Sequence, residues 1–335
     1  MLKDKIKKIY AFIFSNARKL CQGIAHLAVS WPKAFACVVI LLIASYYPLG
    51  GMMIEKIDKS TDYEPKIKAE GQSATVETMA YLINREVNEH MWTANLPVFF
   101  PSYFLDNMPN YQKGIISALA QTTKAIKGGL ECEDDSLLNK KITDAHGLLK
   151  YSGDVWLFAP DNKLKIAPSS ASQYRKARKY LRDFNNLLAE EDCLWLKNAQ
   201  NLQKLLNVIK KDMYKSAGKL ENQVAEHSSD FVDTQADDLF YFYQGKIYAY
   251  MLVLKAWGID FKQVLVESGQ YQNWTKAILA LENGVELSPM MVKNGELNSS
   301  VSANHLMFLG YYIVRAENLL NRIDDAMKGV QNNAD

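Results

Sequence analysis

Residues 34–54, AFACVVILLIASYYPLGGMMI, carry no charged side chain. At about 1.5 Å of rise per residue, a helix of that length reaches roughly the 30 Å of a bilayer's hydrocarbon core. Lys33 closes the run on one side and Glu55 and Lys56 on the other. A helix apolar on every face either crosses a membrane or is buried all round. Pro48 and the Gly50-Gly51 pair would end a buried core helix early, so the run reads as a transmembrane helix. It divides the chain into a short basic head, 1–33, a polar juxtamembrane linker, 55–71, and a helical domain, 72–330.

The head holds Lys3, Lys5, Lys7, Lys8, Arg18, Lys19 and Lys33 against a single acid, Asp4. Lys/Arg excess is retained on the cytoplasmic side, so the expected topology is head inside and body outside. In a bacterium that means an inner-membrane anchor with a periplasmic body. A cleaved signal peptide would have a shorter basic region, a 7–15-residue apolar core and a small-x-small cleavage site. SYYPLGG is a poor cleavage site, which favours an uncleaved anchor. Ile6, Ile9, Tyr10, Ile13, Ala17, Leu20 and Ile24 recur at helical spacing between the lysines. They describe either a basic amphipathic helix on the anionic leaflet or a plain positive flank. The formal net charge of +2 makes nucleic acid an unexpected partner. Cys132 and Cys193 fall in the exported body, where a disulfide between them is permitted; two separate buried thiols are the other reading.

After Ser73, placed as a helix N-cap, residues 75–92 carry apolar residues at helical period. Residues 95–110, NLPVFFPSYFLDNMPN, contain three prolines and cannot form one helix. Val98, Phe99, Phe100, Tyr103, Phe104 and Leu105 are expected to pack against the helices at 75–92 and 111–126. Any that stay exposed would mark a partner or bilayer-surface site. A helix over 136–150 follows the acidic stretch ECEDD. VWLF and KLKIA around a Pro-Asp-Asn turn suggest a small hairpin within 151–170. Residues 172–225 carry a heptad-like seam, broken at the Glu190-Glu191-Asp192 triplet, which predicts two helices or a bent one. LFYFYQGKIYAYMLVLKAW, with Asp237 or Asp238 as its cap, is nearly apolar all round. Gln244, Lys246 and Lys255 speak against a second span, because a mid-bilayer Lys costs about 2.5–3.5 kcal/mol. Such a helix suits the centre of a bundle. Helices at 261–268, 272–284 and 303–329 complete an all-α body.

No phosphate-binding glycine loop, nucleophile elbow, zincin motif or paired CxxC occurs. Glu86 and His90, four apart, share a helix face and read as a surface pair rather than half a zinc site. No metal or other cofactor is expected. Asp106, Asn107 and Asn110 lie in the proline-aromatic stretch. They either cap the helix that follows or, with Phe99, Phe100, Tyr103 and Phe104, form a binding surface. Asp154, in a turn beside Gly153, reads as structural, since carboxylate-pair hydrolysis needs a second carboxylate at a set distance.

Four stretches carry a resemblance: YYPLG at 46–50, INREVNEHMWTANLPVFFPSYFLDNMPNYQKGI at 83–115, LLKYSGDVW at 148–156 and SASQYRKARKYL at 170–181. Together they resemble an uncharacterised bacterial family of single-span inner-membrane proteins, catalogued as a domain of unknown function. The resemblance implies the topology and a helical body, and no activity or catalytic residue. The expected function is a non-enzymatic envelope assembly, scaffold or interaction protein, with the lipid bilayer and an envelope protein as partners and self-association compatible with the sequence. The alternative is an envelope hydrolase or peptidoglycan-modifying enzyme with a site around Asp106 and Asp154.

Overall fold

The computed structural model describes residues 14–16, 18–19, 22–23, 26, 29–131, 136–158, 166–190, 195–228, 233, 235–296 and 303–332. The chain forms two compact units, Met1–Ile54 with Val98–Phe104, and Glu55–Pro97 with Leu105–Asp335. Among the described residues both units are helical and no strand occurs. Cys132 and Cys193 lie outside the described residues, and so does their pairing. The hairpin expected within 151–170 reduces to one antiparallel bridge, Phe158 with Ile166, and its turn is likewise outside them.

In the first unit, α1 (Pro32–Ile54) runs unbroken through Pro48 and the glycine pair. The described head residues between 14 and 30 are helical too. Among the described residues, α1 is the one helix long and apolar enough to cross a membrane.

The body is a helical bundle. Its elements are α2 (Ala74–Asn84), ending in a π turn (Arg85–Glu89), α3 (Asn107–Gly128), α4 (Leu137–Leu149), α5 (Ser170–Leu187), α6 (Ala199–His227), α7 (Ala236–Asp260), α8 (Lys262–Glu267), α9 (Tyr271–Glu286) and α10 (His305–Asn332). The nearly all-apolar helix α7 is the centre, packed against α2, α3, α9 and α10. Phe240, Ile247, Met251, Leu254 and Trp257 are buried along it. Two of its polar residues bond within the bundle: Lys246 Nζ lies 2.6 Å from Asp212 of α6, and the Gln244 amide donates to the Val285 and Leu287 carbonyls. The heptad seam does split, into α5 and α6; Leu202, Leu206, Ile209 and Met213 are buried, and α6 packs on α10 and α3.

Helices α3 and α7 cross closely, and glycine makes the crossing. A Cβ on Gly114 would fall on the Phe242 carbonyl oxygen, and one on Gly245 would fall on that of Tyr111. Backbones approach this closely only where neither side chain exists.

The helix ends explain where capping was legible. Ser73 caps α2 as expected, accepting from the Val76 N–H. Buried Asp260, at the end of α7, completes that cap by accepting from the Ala74 and Thr75 N–H groups and the hydroxyls of Ser73 and Thr75. A carboxylate suits that position because the helix N-terminus is positive. Neither Asp237 nor Asp238 caps α7. The N-cap residue is Gln235, whose side chain makes no cap bond; Asp233, two residues earlier, accepts from the N–H groups of Gln235 and Ala236.

The juxtamembrane stretch 55–71 makes defined bonds to the body. It is an extended strap bound along the body. Lys59 Nζ donates to the Leu287 carbonyl, Lys255 Nζ donates to the Thr61 carbonyl, and the Tyr63 ring stacks on Tyr81 with centroids 3.6 Å apart. Beneath the strap Arg85 and Glu86 are each only 1% exposed. The guanidinium binds Glu86 at 2.6 Å, donates to the Tyr248 hydroxyl and faces Asp58 at 3.5 Å. Burial acts to lower the Arg85 pKa, but Glu86 and the surrounding oxygens outweigh it and hold the pKa above the usual arginine value. Tyr248 and Tyr111 pass the bonding on to the Ser60 and Asp58 carbonyls. The Glu86–His90 pair is present, with His90 Nδ1 3.8 Å from Glu86, but its acid is buried and not on the surface as expected. The π turn, closed by the His90 N–H to the Arg85 carbonyl, buries Arg85, Glu86 and Val87 together.

Candidate functional site

The proline-aromatic stretch splits into two parts. Val98–Phe104 belongs with α1, not with the helices at 75–92 and 111–126 as its apolarity suggested. Pro97 and Pro101 keep it out of α-helix, and it closes on itself in a 3-10 turn, Pro101–Phe104, with the Tyr103 N–H donating to the Phe100 carbonyl. Two hydroxyls from α1 hold it: Tyr46 donates to the Phe99 carbonyl and Tyr47 to the Val98 carbonyl, both at 2.8 Å. The Tyr47 ring meets Phe104 edge to face at 4.8 Å. Gly50 lets Pro101 lie directly on the helix, where any Cβ would collide with the proline ring.

Bound this way, the stretch leaves its rings outward. Phe99, Tyr103 and Phe104 are 58%, 49% and 67% exposed, and Phe100 is half-buried. Leu49, Met52 and Met53 of α1 are exposed as well. The apolar residues split because the helix offers only one face to seven residues.

The polar part of the expected site belongs to the body. Helix α3 begins earlier than the prolines implied, because Pro109 sits in its first turn, where no intrahelical N–H is needed. Asp106 is its N-cap, accepting from the Asn107 N–H. The Asn110 amide donates to Asp238. Asp237 stands in the same acidic group with Asp106, Asp238 and Glu55. Burial, then those three carboxylates, push its pKa up to about 6. Among the described residues no group of acids, His and Cys is arranged to hold a metal ion.

Other candidates resolve into structural roles. Asp154 pairs with Lys113 at 3.3 Å. His146 places Nδ1 3.0 Å from the Ala120 carbonyl of α3, and burial lowers its pKa. Arg178 and Arg182 of α5, Glu77 of α2, and Asp62 and Glu64 of the strap line an open groove of about 650 Å³ beside the Tyr63–Tyr81 stack. Its lining holds charges of both signs. Burial and then Arg182 lower the Arg178 pKa.

A second apolar surface lies on the body and was not singled out in the sequence. Residues 293–295 pair with 303–305 through the Asn294–Asn304 bridge and the His305 N–H to the Lys293 carbonyl. This brings the loop after α9 beside the first turn of α10. Met290 is fully exposed there, and Met291, Phe308, Tyr311 and Val314 are also exposed. Phe308, Tyr311 and Val314 stand at intervals of three on one helix. The interruption of the α10 pattern by outward aromatics was the available signal.

Tyr46, Tyr47, Arg85 and Asp260 were also missed. Each bonds at least one partner more than fifty residues away, Tyr248 in the case of Arg85, which no local spacing displays. No curated protein and no solved structure matches the chain. The family described as uncharacterized proteins conserved in bacteria, DUF2333, matches residues 35–233 and 215–328. Those matches take in nearly all of α1, the aromatic stretch and nearly all of the helical body, and the chain belongs to the DUF2333 family of uncharacterised bacterial proteins.

Proposed function

We propose that the protein is a non-enzymatic assembly, scaffold or interaction protein of the bacterial cell envelope. In this reading α1 anchors it in the inner membrane, the lysine-rich head stays in the cytoplasm and the body projects into the periplasm. The charge asymmetry around α1 supports the orientation, and the uncharged run 34–54, largely exposed along α1, supports the anchor. The observation that carries the interaction reading is the exposed corner of Met290, Met291, Phe308, Tyr311 and Val314. Large apolar side chains left exposed mark candidate sites of contact, and flexible methionines adapt to a partner's shape.

The test is photocrosslinking in cells, with a crosslinking amino acid at Phe308 and, as control, at exposed Lys276 of α9. The expected result is a discrete protein adduct at Phe308 and none at Lys276. An adduct of twice the chain's mass identifies a second copy as the partner. No adduct at Phe308, or equal adducts at both positions, removes the support for an interaction protein.

A further inference from the structure

We propose that Val98–Phe104 is a lipid-contacting element, seated in the leaflet on the C-terminal side of α1. This deepens the proposed function and rests on α1 being a membrane span. The occupant is lipid because of where the stretch is fixed. Its anchor points on α1, from Tyr46 to Gly50, lie four to eight residues before Ile54. At 1.5 Å per residue that is about 6–12 Å from the end of the helix. Interfacial elements sit about 5–10 Å into the headgroup and acyl boundary, the same depth.

The chemistry of the stretch fits that depth. VFFPSYF contains no charge. Where a stretch reaches past the headgroups into hydrocarbon, exposed backbone polar groups are expensive unless bonded within the protein. The Val98 and Phe99 carbonyls receive the two tyrosine hydroxyls, the Phe100 carbonyl receives the Tyr103 N–H, and Pro101 has no N–H to satisfy. Bonding the carbonyls inward while turning Phe99, Tyr103 and Phe104 outward suits an apolar surrounding and wastes apolar surface in water. The exposed rings continue the exposed apolar surface of α1 itself, and aromatic residues favour this membrane level.

The experiment uses the full chain in liposomes of phosphatidylethanolamine and phosphatidylglycerol. Nitroxide labels are placed singly through Phe104→Cys, Leu42→Cys on the exposed face of α1 and Lys124→Cys on the exposed face of α3, with the four native cysteines changed to serine. Collision with oxygen reports lipid, and collision with a water-soluble nickel complex reports solvent. The expected result is that position 104 behaves as position 42 does, open to oxygen and shielded from nickel. Nickel access at 104 equal to that at 124 overturns the proposal, and so does shielding from both reagents, which would mean protein contact. Nickel access at 42 would sink the span itself, so the two failures are distinguishable. Should the serine background not fold, Phe104→Trp in the native chain replaces it. Brominated lipid must then quench the added fluorescence, and unquenched added fluorescence overturns the proposal.

Discussion

Asp237 stands in the first turn of α7, where the helix dipole favours an acid, yet burial and the neighbouring Asp106, Asp238 and Glu55 oppose its charge more strongly. Its folded pKa is about 6 against an ordinary 3.8. The folded protein therefore holds this proton more tightly than the unfolded chain. The stabilisation that follows is complete below about pH 4 and is lost as pH rises through 6. We predict that Asp237→Asn melts at a higher temperature than the parent at pH 8 and that the gain disappears at pH 4. A difference that does not change with pH would place the proton elsewhere. Gln112 illustrates the opposite case of a buried polar side chain fully employed. Its carbonyl accepts from the Thr93 N–H and hydroxyl, and its amide donates to the Glu86 and Met91 carbonyls. It thereby fixes the left-handed Met91, at φ 64°, where the π turn ends.

Helices α3 and α7 show what a packed element demands of its sequence. Their crossing depends on Gly114 and Gly245 meeting the opposite backbone, and a backbone cannot yield as a flexible side chain does. Gly245→Ala should therefore destabilise the body by about 3 kcal/mol or more, the upper range for overpacking. Gly218 lies within α6 with open space around it. Gly218→Ala should stabilise by about 0.4–1 kcal/mol, through helix propensity and a less flexible unfolded chain. Urea midpoints of the two variants check both signs, and equal effects would show that the crossing tolerates a methyl group.

Within the body as a whole, the strap ties the first residues after α1 to the buried core through Arg85. Arg85→Met leaves Glu86 buried without its cation, and breaking such a pair costs about 3–5 kcal/mol. The double variant Arg85→Met with Glu86→Leu removes both charges and should regain most of that stability. The strap will not regain its anchor, because Asp58 has lost its partner in both variants. Hydrogen exchange over residues 56–63 should thus rise in the single and the double variant alike. Protection restored in the double variant would mean that the tyrosines and lysines hold the strap unaided. Burial pushes the Lys59 pKa down to about 8, which marks how closely the strap lies against the body.

Periodicity and composition by themselves determined the apolar helix, the all-α body, the split of the long seam and the Ser73 cap. Each depends on residues within a turn or two of one another, so the sequence displays it directly. Tertiary structure alone decided that Val98–Phe104 packs on α1, that Glu86 is buried and that the polar strap is held fast. Burial of a local pattern depends on which surface it meets, and those surfaces lie far along the chain. Phe99 and Ile115 look alike as apolar residues. One is outward and the other fully buried because the first is seated on a single narrow helix and the second is enclosed by a bundle.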